Sequence, residues 1–126
     1  MTEAEILVDR ICDRLRLHWP AAACGGEIDA QGYLIVRMRV VDALWLELRS
    51  PSPPQGIMVP PWTVGPIEAD ATGAWRTVSR AYGIGHRAAA SAEDVADRFY
   101  EEVRFWWAEY ARIALTPRLA IPAEEH

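Results

Sequence analysis

Lysine and asparagine are both missing from this chain, so all thirteen of its Lys/Arg positions are arginine. The two absent residues are encoded by A-rich codons. Their joint loss beside abundant Ala and Arg points to a GC-rich genome, as in an actinobacterial cell or its phage. No block of clustered cations exists, and the net charge is −5. Nucleic acid is therefore not the expected partner, because neutralising phosphates needs grouped positive charge. Cysteine is scarce as well. Cys12 and Cys24 form no CxxC and no cysteine-rich spacing, so two free, mostly buried thiols are expected, with a disulfide as the lesser alternative. No apolar run approaches the ~18 residues that span a bilayer, and the acidic start Met-Thr-Glu-Ala-Glu lacks the pattern of a signal peptide. These absences predict a cytoplasmic protein with no membrane partner.

Motifs for chemistry are equally sparse. His18, His86 and His126 have no neighbouring His, Cys or carboxylate at ligand spacing, so no metal site is expected. Gly83-Ile84-Gly85-His86-Arg87 lacks the third glycine, the lysine and the immediate helix start of a phosphate cradle, and reads as a connection after a strand. Cys12 falls on an apolar helical stripe, where inert structural thiols sit. The carboxylates Glu27, Asp29, Glu47, Glu68 and Asp70 read as solvated strand edges and turns. No catalytic residue and no cofactor are assigned.

What the chain does have is size and apolar content. At 126 residues and 51% hydrophobic, it makes one domain large enough to fold without a staple. Six tryptophans are the one excess, and they belong either to an aromatic core or to a recognition surface.

Periodicity assigns the elements. Thr2 and Glu5 form a capping box, followed by Leu7, Val8, Ile11, Cys12, Leu15 and Trp19 at helical spacing, up to Pro20. From Gly25 the period becomes two. A short strand near Glu27–Asp29, the turn Ala30-Gln31-Gly32 and a strand Tyr33–Val41 lead into Leu44–Arg49. Keeping both apolar sets on one face pairs Val40 with Leu44, Met38 with Leu46 and Val36 with Leu48 across a three-residue loop. Arg37 then lies opposite Glu47, and Arg39 opposite Trp45. Residues 50–61 carry five prolines and form an extended loop. Trp62–Asp70 and Trp75–Tyr82 are two further strands, with Pro66 holding the first at an edge or a bulge. Ser91 and Asp94 start a second helix with Val95, Phe99, Val103, Trp106 and Tyr110 as its stripe, widened by Tyr100 and Trp107. Pro117 stops it. The expected fold is α+β: an antiparallel sheet of four to five strands flanked by an N-terminal and a C-terminal helix, in two layers. Residues 1–117 make the domain and 118–126 a tail.

This helix–strands–helix order, the small acidic chain, the Arg/Ala-rich composition and Gly32-Tyr33-Leu34-Ile35-Val36 as a central strand resemble the type III secretion chaperone-like class, including the YbjN-like proteins. The Pro-rich loop and the Trp106-Trp107 pair have no counterpart in that resemblance. It implies a non-enzymatic protein that holds a peptide or a protein partner, often as a homodimer, and it assigns no residue a role.

Three functions compete at this level. The first is a chaperone-like binding module that uses the outer sheet face or the Pro-rich loop, with Trp45, Arg37, Arg39 and Trp62 as the partner-binding residues. The second is an immunity- or antitoxin-type inhibitor, which would need a concentrated acidic face. The third is a small enzyme or ligand carrier with a Trp-lined cavity.

Overall fold

The computed structural model describes residues 2–50, 62–84 and 91–124, with side chains through 110. Helix α1 spans Glu3–His18. The Glu5 N–H donates to Thr2 Oγ1 and the Thr2 N–H to the Glu5 carboxylate, both at 3.2 Å, so the expected capping box closes. Leu7, Val8, Ile11, Cys12 and Leu15 are the buried stripe, and the Trp19 N–H closes the last turn on the Leu15 carbonyl.

Six strands follow: β1 Cys24–Ile28, β2 Leu34–Val41, β3 Leu44–Arg49, β4 Trp62–Ala69, β5 Trp75–Thr77 and β6 Tyr82–Ile84. They form one antiparallel sheet in the order β1-β2-β3-β4-β5, with β6 also beside β4. Helix α2 spans Ala92–Glu124 and starts where Ser91 Oγ accepts the Asp94 N–H at 3.1 Å. The fold is α+β, as its pattern predicts, with one strand more than expected.

Both helices lie on one face of the sheet. Leu34, Val36, Met38, Leu46, Leu48 and Val64 of the sheet meet Ile11, Leu15, Phe99 and Val103 of the helices in a single core. Arg10 pairs with Glu93 (2.6 Å), and Arg14 grips Asp97 through two bonds of 2.9 and 3.2 Å. Each step of four on α1 thus matches a step of four on α2, so the helices run parallel. His18 completes the series, bonding Asp97 at 2.6 Å and stacking on Tyr100 at 4.4 Å. The Arg14 guanidinium, and then His18, hold the Asp97 carboxyl at about 2, below its ordinary 3.8.

The structure corrects four expectations. The hairpin pairs Val36 with Leu48, Arg37 with Glu47, Met38 with Leu46 and Arg39 with Trp45, but Leu44 is opposite Val41. Val40 is the extra residue of a bulge, and it remains buried. The loop shrinks to Asp42-Ala43, with Asp42 in the left-handed region at φ 50°; aspartate tolerates that conformation better than most side chains, so turn chemistry overrides strict alternation. The strand expected over Trp75–Tyr82 is broken into β5 and β6. Both pair with β4, and they part beside Gly65-Pro66, where a proline has no N–H to donate and Ala81 approaches Gly65 closely. Pro66 is thus interior to the sheet, at a gap between partners, and not at its edge. Finally, α2 continues through Pro117 to Glu124, and the boundary expected at 117 falls inside a helix. A proline removes one hydrogen bond, but its fixed φ is itself helical, so it need not end the element.

Trp107 and Phe105 are 50% and 54% exposed, so the stripe of α2 is narrower than the sequence suggests. Trp106 is half-buried against the core, and its Nε1–H donates to the Tyr82 hydroxyl at 2.8 Å.

Candidate partner-binding face

The face of the sheet away from the helices is set by the same two-residue alternation that builds the core. Pairing through β1, β2, β3 and β4 places Gly25, Arg37, Glu47 and Gly65 in one row. The next row holds Arg39, Trp45, Ile67 and Thr77. Trp75 lies beyond, opposite Ala69 on β5.

Arg37 is the hub. Its Nη1 donates to Glu27 at 2.7 Å and its Nε to Glu47 at 3.0 Å. Its guanidinium carbon lies 5.1 Å from the ring centre of Trp75. Trp75 meets Trp45 edge to face at 5.3 Å, an arrangement that aromatic quadrupoles favour. Two carboxylates therefore fix the cation, the cation supports one indole, and that indole supports the other. Beside them opens a groove of about 320 Å³, lined by Gly25, Arg37, Trp45 and Trp75. Trp45 is half-buried and Trp75 is 38% exposed, so both indoles present area to whatever enters.

The four residues singled out from sequence thus separate. Arg37 and Trp45 belong to this cluster. Arg39 shares their face, but its Nε donates to the Asp42 carbonyl at 2.7 Å, so it closes the hairpin turn. Trp62 is 4% exposed, on the helix side, and belongs to the core. Its indole Nε1 has no hydrogen-bond partner among the described residues. Glu47 joins as the partner that the hairpin register sets opposite Arg37, whereas Trp75 and Glu27 are the members that sequence reasoning passed over. The turn before Tyr33 already implies Glu27 near Arg37. The position of Trp75 depends on the β3–β4 pairing, which no local pattern specifies.

Two other surfaces are open. A groove of about 590 Å³ runs between the first half of α1 and β1, with Thr2, Glu5, Val8 and Asp9 on one wall and Gly26 and Ile28 on the other. A third hollow, about 560 Å³, lies by Trp19, Tyr100, Phe105 and Trp107. Trp62 lies in the core, Trp45 and Trp75 line the sheet-face groove, and Trp19 and Trp107 line the third hollow, so no one cavity gathers all six among the described residues. Nor do three or more His, Cys, Asp or Glu side chains gather there in a metal-binding group. His86 and the Pro-rich loop 51–61 lie outside the described residues. No described helix is long and apolar enough to cross a membrane.

Cys12 and Cys24 meet between α1 and β1, both as free thiols. A hydrogen bond from Cys12 pulls the Cys24 thiol below its ordinary value, whereas that bond and burial push Cys12 up. Tyr82 is pushed up too, by burial and by donating its hydroxyl hydrogen to Glu102 at 2.6 Å.

No family model, curated protein or solved structure matches this chain.

Proposed function

We infer that this chain is a non-enzymatic, chaperone-like module that binds a protein or peptide partner on the helix-free face of its sheet. The observation that carries the reading is the Trp45–Trp75–Arg37 cluster beside an open groove. Tryptophan and arginine supply much of the energy at protein interfaces, because they offer large contact area with few rotatable bonds or a planar fork of donors. Here they are held in place before binding, by Glu27 and Glu47, which lowers the ordering cost of association. The inhibitor reading would be favoured by a concentrated acidic face, and the ligand-carrier reading by a closed, roomy aromatic pocket with inward polar groups.

The test is affinity purification from the native host, followed by calorimetry with the partner so identified. Trp45→Ala and Trp75→Ala should each weaken binding by about 2 kcal/mol or more, roughly thirtyfold, while costing no more than about 1 kcal/mol of stability. Partner binding equal to wild type in both variants would overturn the assignment of this face.

A further inference from the structure

β1 begins the strand order, so among the described residues only one of its sides is paired. The Arg39 N–H bonds the Ala23 carbonyl at 2.9 Å, and the Asp29 N–H bonds the Tyr33 carbonyl at 3.0 Å. Together with the β1–β2 register, these two bonds point the backbone groups of odd-numbered residues 23–29 toward β2. The N–H and C=O groups of Cys24, Gly26 and Ile28 therefore point away from the sheet, along its edge. Edge strands are usually guarded by a proline, a lysine or a bulge. Cys24–Ile28 has no proline, no cation and an unbroken register; its one charge, Glu27, is tied to Arg37 at 2.7 Å, and Gly25-Gly26 lie at its centre.

The two grooves flank this edge on opposite sides of the sheet. The α1 groove lies on the helix side, where the side-chain direction of Cys24, Gly26 and Ile28 points. The Arg37–Trp45–Trp75 groove lies on the open side, with Gly25. A strand added to β1 would send alternate side chains into one groove and then the other. The grooves differ in chemistry. The helix-side wall carries Glu5 and Asp9, one turn apart, and Asp9 has no ion-pair partner among the described residues. The open side offers two indoles.

Charge selects the occupant. A second copy pairing edge to edge would set the Glu5–Asp9 row of one α1 against the same row of the other, in chains that each carry −5. Like charges so placed repel, whereas a cationic segment meets opposite charge. We propose that the free edge of β1 binds an extended cationic segment of a partner protein as an added antiparallel strand, with Arg or Lys side chains toward Glu5 and Asp9 and apolar ones toward Trp45 and Trp75. This rests on the binding-module reading and adds the conformation and charge pattern of what is bound.

The probe is a capped eight-residue peptide of alternating Arg and Val, added to the full chain and followed by calorimetry and residue-resolved amide exchange. Binding should slow exchange at Cys24, Gly26 and Ile28. In an antiparallel pair, directly opposed residues share a face and exchange their bonds, so the peptide's Arg amides are the ones that bond β1. N-methylation of the Arg amides should therefore abolish binding, while N-methylation of the Val amides should spare it. Asp9→Arg should weaken binding about five- to tenfold without shifting the melting temperature, and a Glu/Val peptide should not bind. Equal binding of the Arg-N-methylated peptide or of the Glu/Val peptide would overturn the proposal. Absence of binding, or concentration-dependent protection of the three amides without peptide, would do the same, the latter in favour of a second copy. Perturbation of the Trp45 and Trp75 indole N–H signals with those amides unmoved would sink the edge pairing while sparing the open face as a binding surface.

Discussion

The two faces of the sheet arise from one alternation, yet they are held by different forces. On the helix side Leu34, Val36, Met38, Leu46 and Leu48 are removed from solvent, and the stabilisation scales with apolar area, at about 25 cal/mol per Å². On the open side Arg37 is held between Glu27 and Glu47, and Arg49 bonds Asp29 at 3.3 Å while lying 5.8 Å from the Tyr33 ring centre. Such partly exposed pairs contribute a few tenths to about 1 kcal/mol each. The difference teaches where recognition can be placed: the charged and indole side chains of the open face can change with the partner at small cost, whereas buried Ile35 and Ile67 on that face and the residues under the helices cannot.

The largest expected effect tests that contrast directly. Phe99→Ala, beneath α2, should cost about 3–5 kcal/mol in denaturant unfolding, and Trp45→Ala about 1 kcal/mol. Comparable losses would erase the distinction between the faces. Next come the adjacent glycines of β1. A methyl group at Gly26 would collide with Val8 Cγ1 and lie 3.2 Å from Cys12 Sγ, whereas at Gly25 it would meet nothing within 4 Å. Gly26→Ala should therefore destabilise by about 1–3 kcal/mol and be partly rescued by Val8→Ala, while Gly25→Ala stays within about 0.5 kcal/mol.

A third effect concerns the seam between the helices. Asp97 titrates at about 2 in the folded chain and near its ordinary 3.8 when unfolded. Between those values the unfolded state binds more protons, so stability rises with pH. This contribution is complete above about pH 4 and is lost as pH falls through about 2. Arg14→Gln should flatten the acid limb of a melting-temperature profile relative to wild type. An unchanged limb would show that the Arg14–Asp97 pair does not couple to folding. Smallest is a difference of rate alone: iodoacetamide near pH 8 should label Cys24 well before Cys12, as peptide mass mapping would show, because the hydrogen bond between them favours the Cys24 thiolate and Cys12 is buried. Equal labelling would mean that the thiols do not share that bond.

Much of this architecture is legible in residue order because it depends on local rules. The capping box, the stripe of α1, the odd–even division of β2 and β3, and the start of α2 each need only a few neighbouring residues. The misread features are those where one local rule meets a partner from far along the chain. Val40 fits the apolar alternation, but a two-residue turn with Asp42 left-handed displaces it into a bulge. Trp107 fits a widened stripe, but it is 50% exposed, with no third layer against it among the described residues.

Sequence by itself determined the fold class, the helix starts, the pairing of Arg37 with Glu47 and the appearance of Trp45 on the polar face, since alternation and capping act over distances shorter than one element. Only the tertiary structure decided that Trp62 belongs to the core, that Arg39 closes a turn, and that Trp75 joins Arg37 and Trp45. Arg39 takes that role because the bulged hairpin brings the Asp42 carbonyl to its Nε. The two tryptophan outcomes depend on how β4 and β5 extend that hairpin, and the pairing of strands distant in sequence is fixed by the packing of the whole sheet on its helices and by no pattern within a single strand.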